Sequence, residues 1–181
     1  MDTTPEIEWA RRLLAGDKEA MQPFVESFQS KVFNYTWLMC GQREDAEEVA
    51  QDTLLKVFEN WEQLRDPAQV KPWVFRIARN CCLMKRRRSV FAPVEEVPID
   101  DAPVADAAER ADERLIRMEL TSGLERALRE IPEIYRAVVL LRDLEELSTA
   151  ETAQLLEISE DNVKQRLRRA RAMLRERLTA A

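Results

Sequence analysis

The 181-residue sequence contains no histidine and only three cysteines, Cys40, Cys81 and Cys82, which lack a CxxC spacing. This shortage argues against a zinc site and against a cysteine–histidine nucleophile, because both need those residue types together. We therefore predict no catalytic residue, no metal site and no cofactor. The cysteines are interpreted as reduced, partly buried apolar residues, although a role in sensing oxidation stays open.

Glycine is equally scarce, with three residues in the whole chain, which leaves few left-handed turns or phosphate-binding loops. No apolar run approaches the roughly 18 residues of a membrane-spanning helix, and the acidic N-terminal segment is unlike a signal peptide. We predict no membrane insertion and a cytoplasmic location. The abundance of Ala, Leu, Glu and Arg predicts an all-α fold.

The net charge of −6 argues at first against nucleic-acid binding, but this charge is unevenly distributed. Residues 1–88 and 113–181 are each neutral, whereas residues 89–112 carry seven acids and one base. The prolines and like charges of that stretch predict a flexible acidic linker. The sequence therefore predicts two small helical domains, at 1–88 and 113–181, joined by this linker.

Two segments are strongly basic. Residues 71–88 hold seven bases and no acid, and residues 164–177 hold seven bases and one acid. Such clusters neutralise phosphates. In the first segment, one predicted helical face carries Trp73, Ile77, Asn80 and Met84 among arginines, and its aromatic, amide and guanidinium groups suit single-stranded DNA. An ordinary core role for the tryptophan and the isoleucine stays open.

An amphipathic helix is predicted from Asp45, with Asp45 and Glu48 as a capping box. Its apolar positions recur at three- and four-residue steps and are expected to face a core. These positions are Ala46, Val49, Ala50, Leu54, Val57, Phe58 and Trp61. The opposite face is polar and acidic, and the pattern alone favours a solvated face over an acidic docking surface.

The last third of the sequence predicts a helix-turn-helix motif. Ser148 and Glu151 form a capping box for a short helix, and Ser159 caps the final helix. Ala153 and Val163 are expected to pack between the two helices. The final helix presents an arginine-rich face with no acid between residues 162 and 175, so DNA binding is favoured over a solvated face.

The segments DAEEVAQDTLLKVF (45–58), DPAQVKPWVFRIARN (66–80) and most of 131–178 together resemble a bacterial extracytoplasmic-function (ECF, group 4) RNA polymerase sigma factor. The order and spacing of these segments around an acidic linker make the resemblance specific over almost the full length. The resemblance implies a protein that binds core RNA polymerase and directs transcription initiation. It would do so by reading −35 and −10 promoter elements and opening the −10 DNA.

The resemblance also implies roles for three sets of residues. Docking on the β′ clamp helices of core polymerase is expected of Asp45, Glu47, Glu48, Gln51 and Asp52. Recognition and melting of the −10 element are expected of Asp66, Gln69, Lys71, Trp73, Arg76, Ile77, Arg79 and Asn80. Binding of the −35 element is expected of Ser159, Asn162, Lys164, Gln165, Arg166, Arg168, Arg169 and Arg171. Further expected partners are the β-flap, promoter DNA and an anti-sigma factor.

The sequence departs from many family members at Met84, where they have Asp, and at Glu157, where they have Gly. A left-handed conformation at Glu157 would cost roughly 1 kcal/mol. A stand-alone helix-turn-helix regulator that binds duplex operator DNA without polymerase is the alternative function. The sequence shows no heptad zipper or ligand-pocket pattern for that alternative, and an enzyme is a remote third possibility.

Overall fold

The computed structural model describes residues 4–90 and 122–179, except for the side chains of residues 88–90. All regular secondary structure in these ranges is helical, and it forms two helical regions, which confirms the predicted fold class. The predicted linker lies outside the described residues, apart from positions 89 and 90, which belong to a helix ending at Val90.

The N-terminal half contains four helices, in which α2, α3 and α4 pack against one another and α1 packs on α2 and α4. Their bounds are α1, Pro5–Leu14; α2, Met21–Cys40; α3, Arg43–Asn60; and α4, Val70–Val90. Short 3-10 turns occupy Lys18–Ala20, Trp61–Gln63 and Pro67–Gln69. Gly41 ends α2 with a φ of 85°, a left-handed conformation that glycine adopts without a steric cost.

The core of this half is built on the apolar stripe of α2. Phe24, Phe28 and Val32 are fully buried, and the two phenylalanine rings meet edge to face with centroids 5.5 Å apart. The buried Thr36 hydroxyl lies 3.0 Å from the carbonyl oxygens of both Phe33 and Ala46, so it links α2 to α3.

Two predictions for α3 are wrong. The helix begins at Arg43, after an extended Gln42, so Asp45 lies inside the first turn and does not cap the helix. Phe58 was expected in the core, but 53% of its surface is exposed, because the apolar face of α3 is narrower than the sequence pattern indicates. Ala46, Val49 and Val57 do face the core as predicted.

The C-terminal half begins with helical residues 122–130, here α5, followed by α6, α7 and α8. Their bounds are α6, Glu133–Val139; α7, Thr149–Leu156; and α8, Glu160–Thr179. A π-helical turn, Leu140–Leu144, extends α6. The predicted capping box is present, because Ser148 Oγ accepts from the Glu151 amide and the Glu151 carboxylate accepts from the Ser148 amide.

The helix-turn-helix packs as predicted. Ala153 of α7 and Val163 of α8 meet Val138 of α6 in a small buried cluster. The backbone N–H of Asn162 donates to Ser159 Oγ at 3.2 Å, so Ser159 caps the start of α8. Glu157, in the turn, has a φ of 59°, so a non-glycine residue holds the left-handed position.

The two halves share a core. One apolar cluster joins Tyr35 and Phe75 of the N-terminal half to Ile131, Leu141 and Leu155 of the C-terminal half. In addition, α7 packs on α4, and α6 packs on α2. The helix-turn-helix is therefore packed against the helical domain that precedes it.

Three arginines bind the carboxyl end of α2, where the last carbonyl groups have no partner within the helix. Arg136 donates to the Leu38 carbonyl at 2.6 Å, and Arg86 donates to the Met39 carbonyl at 2.7 Å. Arg129 donates to the Gly41 carbonyl at 3.0 Å, and its guanidinium lies 3.9 Å from the centroid of the Trp37 ring. Two of these arginines come from the C-terminal half, so this helix end joins the halves.

Candidate nucleic-acid interfaces

The turn before α4 is organised by Asp66, whose carboxylate accepts from the Ala68 amide at 3.0 Å. Pro67 then starts a 3-10 turn that runs directly into α4. Asp66 and Gln69 are both exposed, and Lys71 is half-buried. The turn therefore presents polar side chains next to the start of a basic helix.

The outer face of α4 combines aromatic, aliphatic, amide and guanidinium groups. Trp73 and Ile77 are half-buried, with one side packed on the core of the N-terminal half. Arg76 and Asn80 lie close to them along the helix and are exposed. The structure brings these four side chains onto one accessible face, so the tryptophan and the isoleucine serve both the core and the surface.

Arg79 differs from the other residues expected to contact the −10 element because it forms an ion pair with the C-terminal half of the chain. Its guanidinium lies 3.6 Å from the Glu157 carboxylate, and only 22% of its side chain is exposed. Glu157 is the left-handed residue of the helix-turn-helix turn. The structure therefore separates Arg79 from the open face formed by Arg76 and Asn80.

The start of α8 is stiffened by its own side chains. Asn162 Oδ1 accepts from Arg166 Nε at 2.8 Å, four residues further along the helix. Arg166 is half-buried and lines a small crevice between the two halves together with Glu133 and Cys82. Lys164 lies 3.5 Å from Asp161 and, like Gln165, is exposed.

Further along α8 the arginines are exposed, and one of them has an acidic partner. Arg168 and Arg169 are exposed. Arg171 makes two hydrogen bonds to Asp143 of the π-helical turn, at 2.9 and 2.6 Å, and this partner raises the pKa of the guanidinium. The acid-free face predicted from α8 alone therefore receives an acid from a segment 28 residues away.

The polar face of α3 is partly neutralised within the chain. Lys85 of α4 lies 3.1 Å from Asp45 and also pairs with Glu48, and these carboxylates raise the pKa of its amine. Glu47 pairs with Arg43 at 2.9 Å. Gln51 and Asp52 are exposed on the same face.

A groove of about 380 Å³ runs between α2 and α3. Phe33, Glu47, Gln51 and Leu54 are among the residues that line it. Beyond it, α3 presents two apolar side chains to solvent, Leu55 at 54% exposure and Phe58 at 53% exposure. The predicted docking residues therefore border an apolar surface, which the sequence pattern had assigned in part to the core.

Several interactions of these surfaces connect residues that are distant in sequence. The pairs Arg79–Glu157 and Arg171–Asp143 belong to this group. Helical periodicity describes which residues share a face, but it carries no information about the partner that a different helix supplies. For the Arg79–Glu157 pair, the one hint in the sequence is that Glu157 stands where many family members have glycine.

These features define a helical protein with a helix-turn-helix motif and a second exposed basic helix. Residues 24–90 match the family model described as Sigma-70 region 2, and residues 122–174 match Sigma-70, region 4. The chain is 33% identical over 162 residues to the ECF RNA polymerase sigma factor SigM of Mycobacterium tuberculosis, with 89% of this chain and 78% of SigM covered. It is 25% identical over 176 residues to the ECF RNA polymerase sigma factor SigW of Bacillus subtilis, with 93% and 94% covered. The chain belongs to the ECF family of RNA polymerase sigma factors, which act in promoter-directed transcription and are regulatory DNA-binding proteins rather than enzymes.

Two solved structures have the same fold. CnrH, in complex with the cytosolic domain of CnrY, has a TM-score of 0.63 at 22% identity and covers 97% of each chain. RpoE of Bartonella quintana, in complex with the anti-sigma factor NepR, has a TM-score of 0.65 at 20% identity, with 87% of this chain and 98% of RpoE covered.

A bilayer crossing needs a long and strongly apolar helix, and none occurs in the ranges 4–90 and 122–179.

Proposed function

We propose that this chain is a group 4 sigma factor that binds core RNA polymerase in the cytoplasm and directs it to promoters with −35 and −10 elements. The observation that carries the proposal is the pairing of two exposed basic helices, α4 and α8, in one chain that belongs to the ECF family. The protein would have no catalytic chemistry of its own and would need no metal or cofactor.

The −35 element would be bound by α8. Helix N-termini that enter the major groove place their first residues near base edges and later basic residues on phosphates. Asn162, Gln165 and Arg166 would therefore lie near bases, with Arg168 and Arg169 on the backbone. Asp143 would compete with a phosphate for the guanidinium of Arg171.

The −10 element would be opened by α4 and the turn before it. Trp73 and Ile77 offer apolar surface against unstacked bases, and Asn80 offers an amide for base edges. Arg76 would hold the backbone, and the 66–70 segment would receive a flipped base. Capture of unstacked bases offsets the cost of strand separation.

The face of α3 would dock on the β′ clamp helices of polymerase, and the C-terminal half would contact the β-flap. Exposed Leu55 and Phe58 beside Gln51 and Asp52 support this docking, because apolar side chains ringed by polar ones are typical of protein interfaces. We also propose an anti-sigma factor as a partner, since RpoE, which shares the fold, was solved with the anti-sigma factor NepR.

Run-off transcription with purified core polymerase and a genomic promoter library tests the proposal. Start sites that require the chain are expected, and no selection above core enzyme alone would refute it. Tight binding to duplex DNA without polymerase would instead favour the stand-alone regulator.

A matched pair of variants tests the docking face. Phe58→Ala should weaken binding to core polymerase at least tenfold, whereas Leu14→Ala, with 36% exposure at the end of α1, should not. Circular dichroism of both variants reports whether the fold is retained. Equal affinities of the two variants would contradict docking through α3.

A further inference from the structure

Two thiols from different helices lie side by side in the N-terminal half. Cys40 is the last residue of α2 and Cys82 lies within α4, and their Sγ atoms are 3.4 Å apart although 42 residues separate them in sequence. A disulfide bond is about 2.05 Å long, so bond formation needs an approach of only about 1.4 Å.

The two thiols differ in access to solvent. Cys40 is half-buried, whereas Cys82 has 3% of its surface exposed within the shared core. A small oxidant can therefore reach Cys40 first, and Cys82 is placed to react with whatever forms on Cys40.

The electrostatic surroundings also favour reaction of Cys40 before Cys82. Arg86 donates to the carbonyl of Met39, the residue before Cys40. The pKa of the Cys40 thiol is lowered by its hydrogen bond with Cys82 and by the charges of Arg86 and Lys85, against the opposing effects of burial and of Asp45. The hydrogen bond and burial raise the pKa of Cys82. Cys40 is thus the better nucleophile of the pair.

We propose that Cys40 and Cys82 are a modification site that hydrogen peroxide converts into an intramolecular disulfide. The Cys40 thiolate attacks one peroxide oxygen, so that an S–O bond forms, the O–O bond breaks, and hydroxide leaves and is protonated to water. The Cys82 sulfur then attacks the Cys40 sulfenic acid. An S–S bond forms, the S–O bond breaks, and a second water leaves with the Cys82 proton. Two thiols lose two electrons, and the peroxide is reduced to two waters.

Cys81 provides an internal control. It neighbours Cys82 in the sequence and is also buried, but its Sγ lies 3.4 Å from the Lys56 amine of α3. Burial and position in α4 are therefore shared by Cys81 and Cys82, and contact with Cys40 is what distinguishes them. The disulfide should join Cys40 to Cys82 and leave Cys81 reduced.

The experiment treats the full-length chain with hydrogen peroxide, alkylates the remaining thiols and maps the peptides by mass spectrometry. Trypsin leaves Cys81 and Cys82 on one peptide, residues 80–85, so fragmentation between them, or the Cys81→Ser variant, identifies the bonded cysteine. We expect a 40–82 disulfide that dithiothreitol reverses and a melting temperature about 5–10 °C higher in the oxidised chain.

Cys82→Ala and Cys40→Ser should abolish the bond, and Cys81→Ser should retain it. Peptide mapping of the unsubstituted chain decides the question if any variant fails to fold. Oxidation of Cys81 in preference to Cys40, a disulfide between two chains, or full alkylation of both Cys40 and Cys82 after peroxide treatment would overturn the proposal.

Discussion

Glu145 is a carboxyl group buried where the two halves meet, and it makes the stability of the protein depend on pH. Only 8% of its surface is exposed, and burial raises its pKa to about 7 from an ordinary value of 4.5. Lys31 and Lys71 of the N-terminal half oppose this shift, whereas Glu6 and Glu146 add to it. The titration of Glu145 therefore reports on the packing between the halves.

The direction of the effect follows from linkage. A carboxyl with a higher pKa in the folded protein binds its proton more tightly there than in the unfolded chain. Its contribution to stability is complete below pH 4.5 and is lost as the pH rises through 7. The difference between the two pKa values corresponds to about 3 kcal/mol, so the free energy of unfolding should fall by about 2–3 kcal/mol between pH 5 and pH 8.

Glu145→Gln keeps the shape of the neutral carboxyl and removes the titration. At pH 8 this variant should be more stable than the unsubstituted chain by about 2–3 kcal/mol, and at pH 5 the gain should be below about 1 kcal/mol. Urea unfolding at the two pH values measures both quantities. The chain has no histidine, so no side chain with an ordinary pKa in this window competes.

Glu146→Gln is the matched control, because its carboxylate is adjacent in sequence but exposed. It should leave most of the pH dependence in place, because burial is the main cause of the raised pKa of Glu145 and the charge of Glu146 is a smaller one. A Glu145→Gln variant with the same pH dependence as the unsubstituted chain would refute the assignment of the titration to Glu145.

Three further predictions concern the arginines and the face of α4. Arg136→Ala removes the donor of hydrogen bonds to three carbonyl groups, at 2.6, 2.9 and 3.1 Å. The free energy of unfolding should therefore fall by about 2–4 kcal/mol in urea titrations. A loss below about 0.5 kcal/mol would show that these bonds do not stabilise the fold. Arg168→Ala should reduce by about one the slope of log K against log salt for −35 DNA binding by the polymerase complex, and an unchanged slope would place this residue away from phosphate. Asn80→Ala should slow promoter opening, measured with permanganate, and leave affinity for core polymerase intact; an equal loss of that affinity would contradict a role in opening.

Local chemistry made much of the C-terminal half predictable. Ser148 and Glu151 satisfy each other's backbone groups within four residues, and Ala153 and Val163 flank a short turn, so short-range patterns contain the necessary information. The left-handed conformation considered for Glu157 is likewise a property of the turn itself.

The two errors on α3 have different origins, one in the local backbone before the helix and one in the packing of distant helices. Asp45 was assigned as a cap, but an extended Gln42 after left-handed Gly41 starts α3 earlier, and Asp45 pairs with Lys85 instead. Phe58 fits the apolar period of α3, yet none of the helices in residues 4–90 and 122–179 buries it. The roles of the DNA and polymerase residues stay predictions, since their positions alone do not test binding.

The 3.6 Å contact between Arg79 and the Glu157 carboxylate has a thermodynamic consequence under the proposed function. A guanidinium that is paired with this carboxylate attracts a phosphate less strongly, so binding of DNA at Arg79 and closure of the two halves compete. Such competition is reciprocal. If closure of the two halves lowers the affinity for DNA by a given factor, bound DNA lowers the equilibrium constant for closure by the same factor. Any partner that draws the C-terminal half away from α4 would therefore raise the affinity of α4 for single-stranded DNA without contacting that DNA.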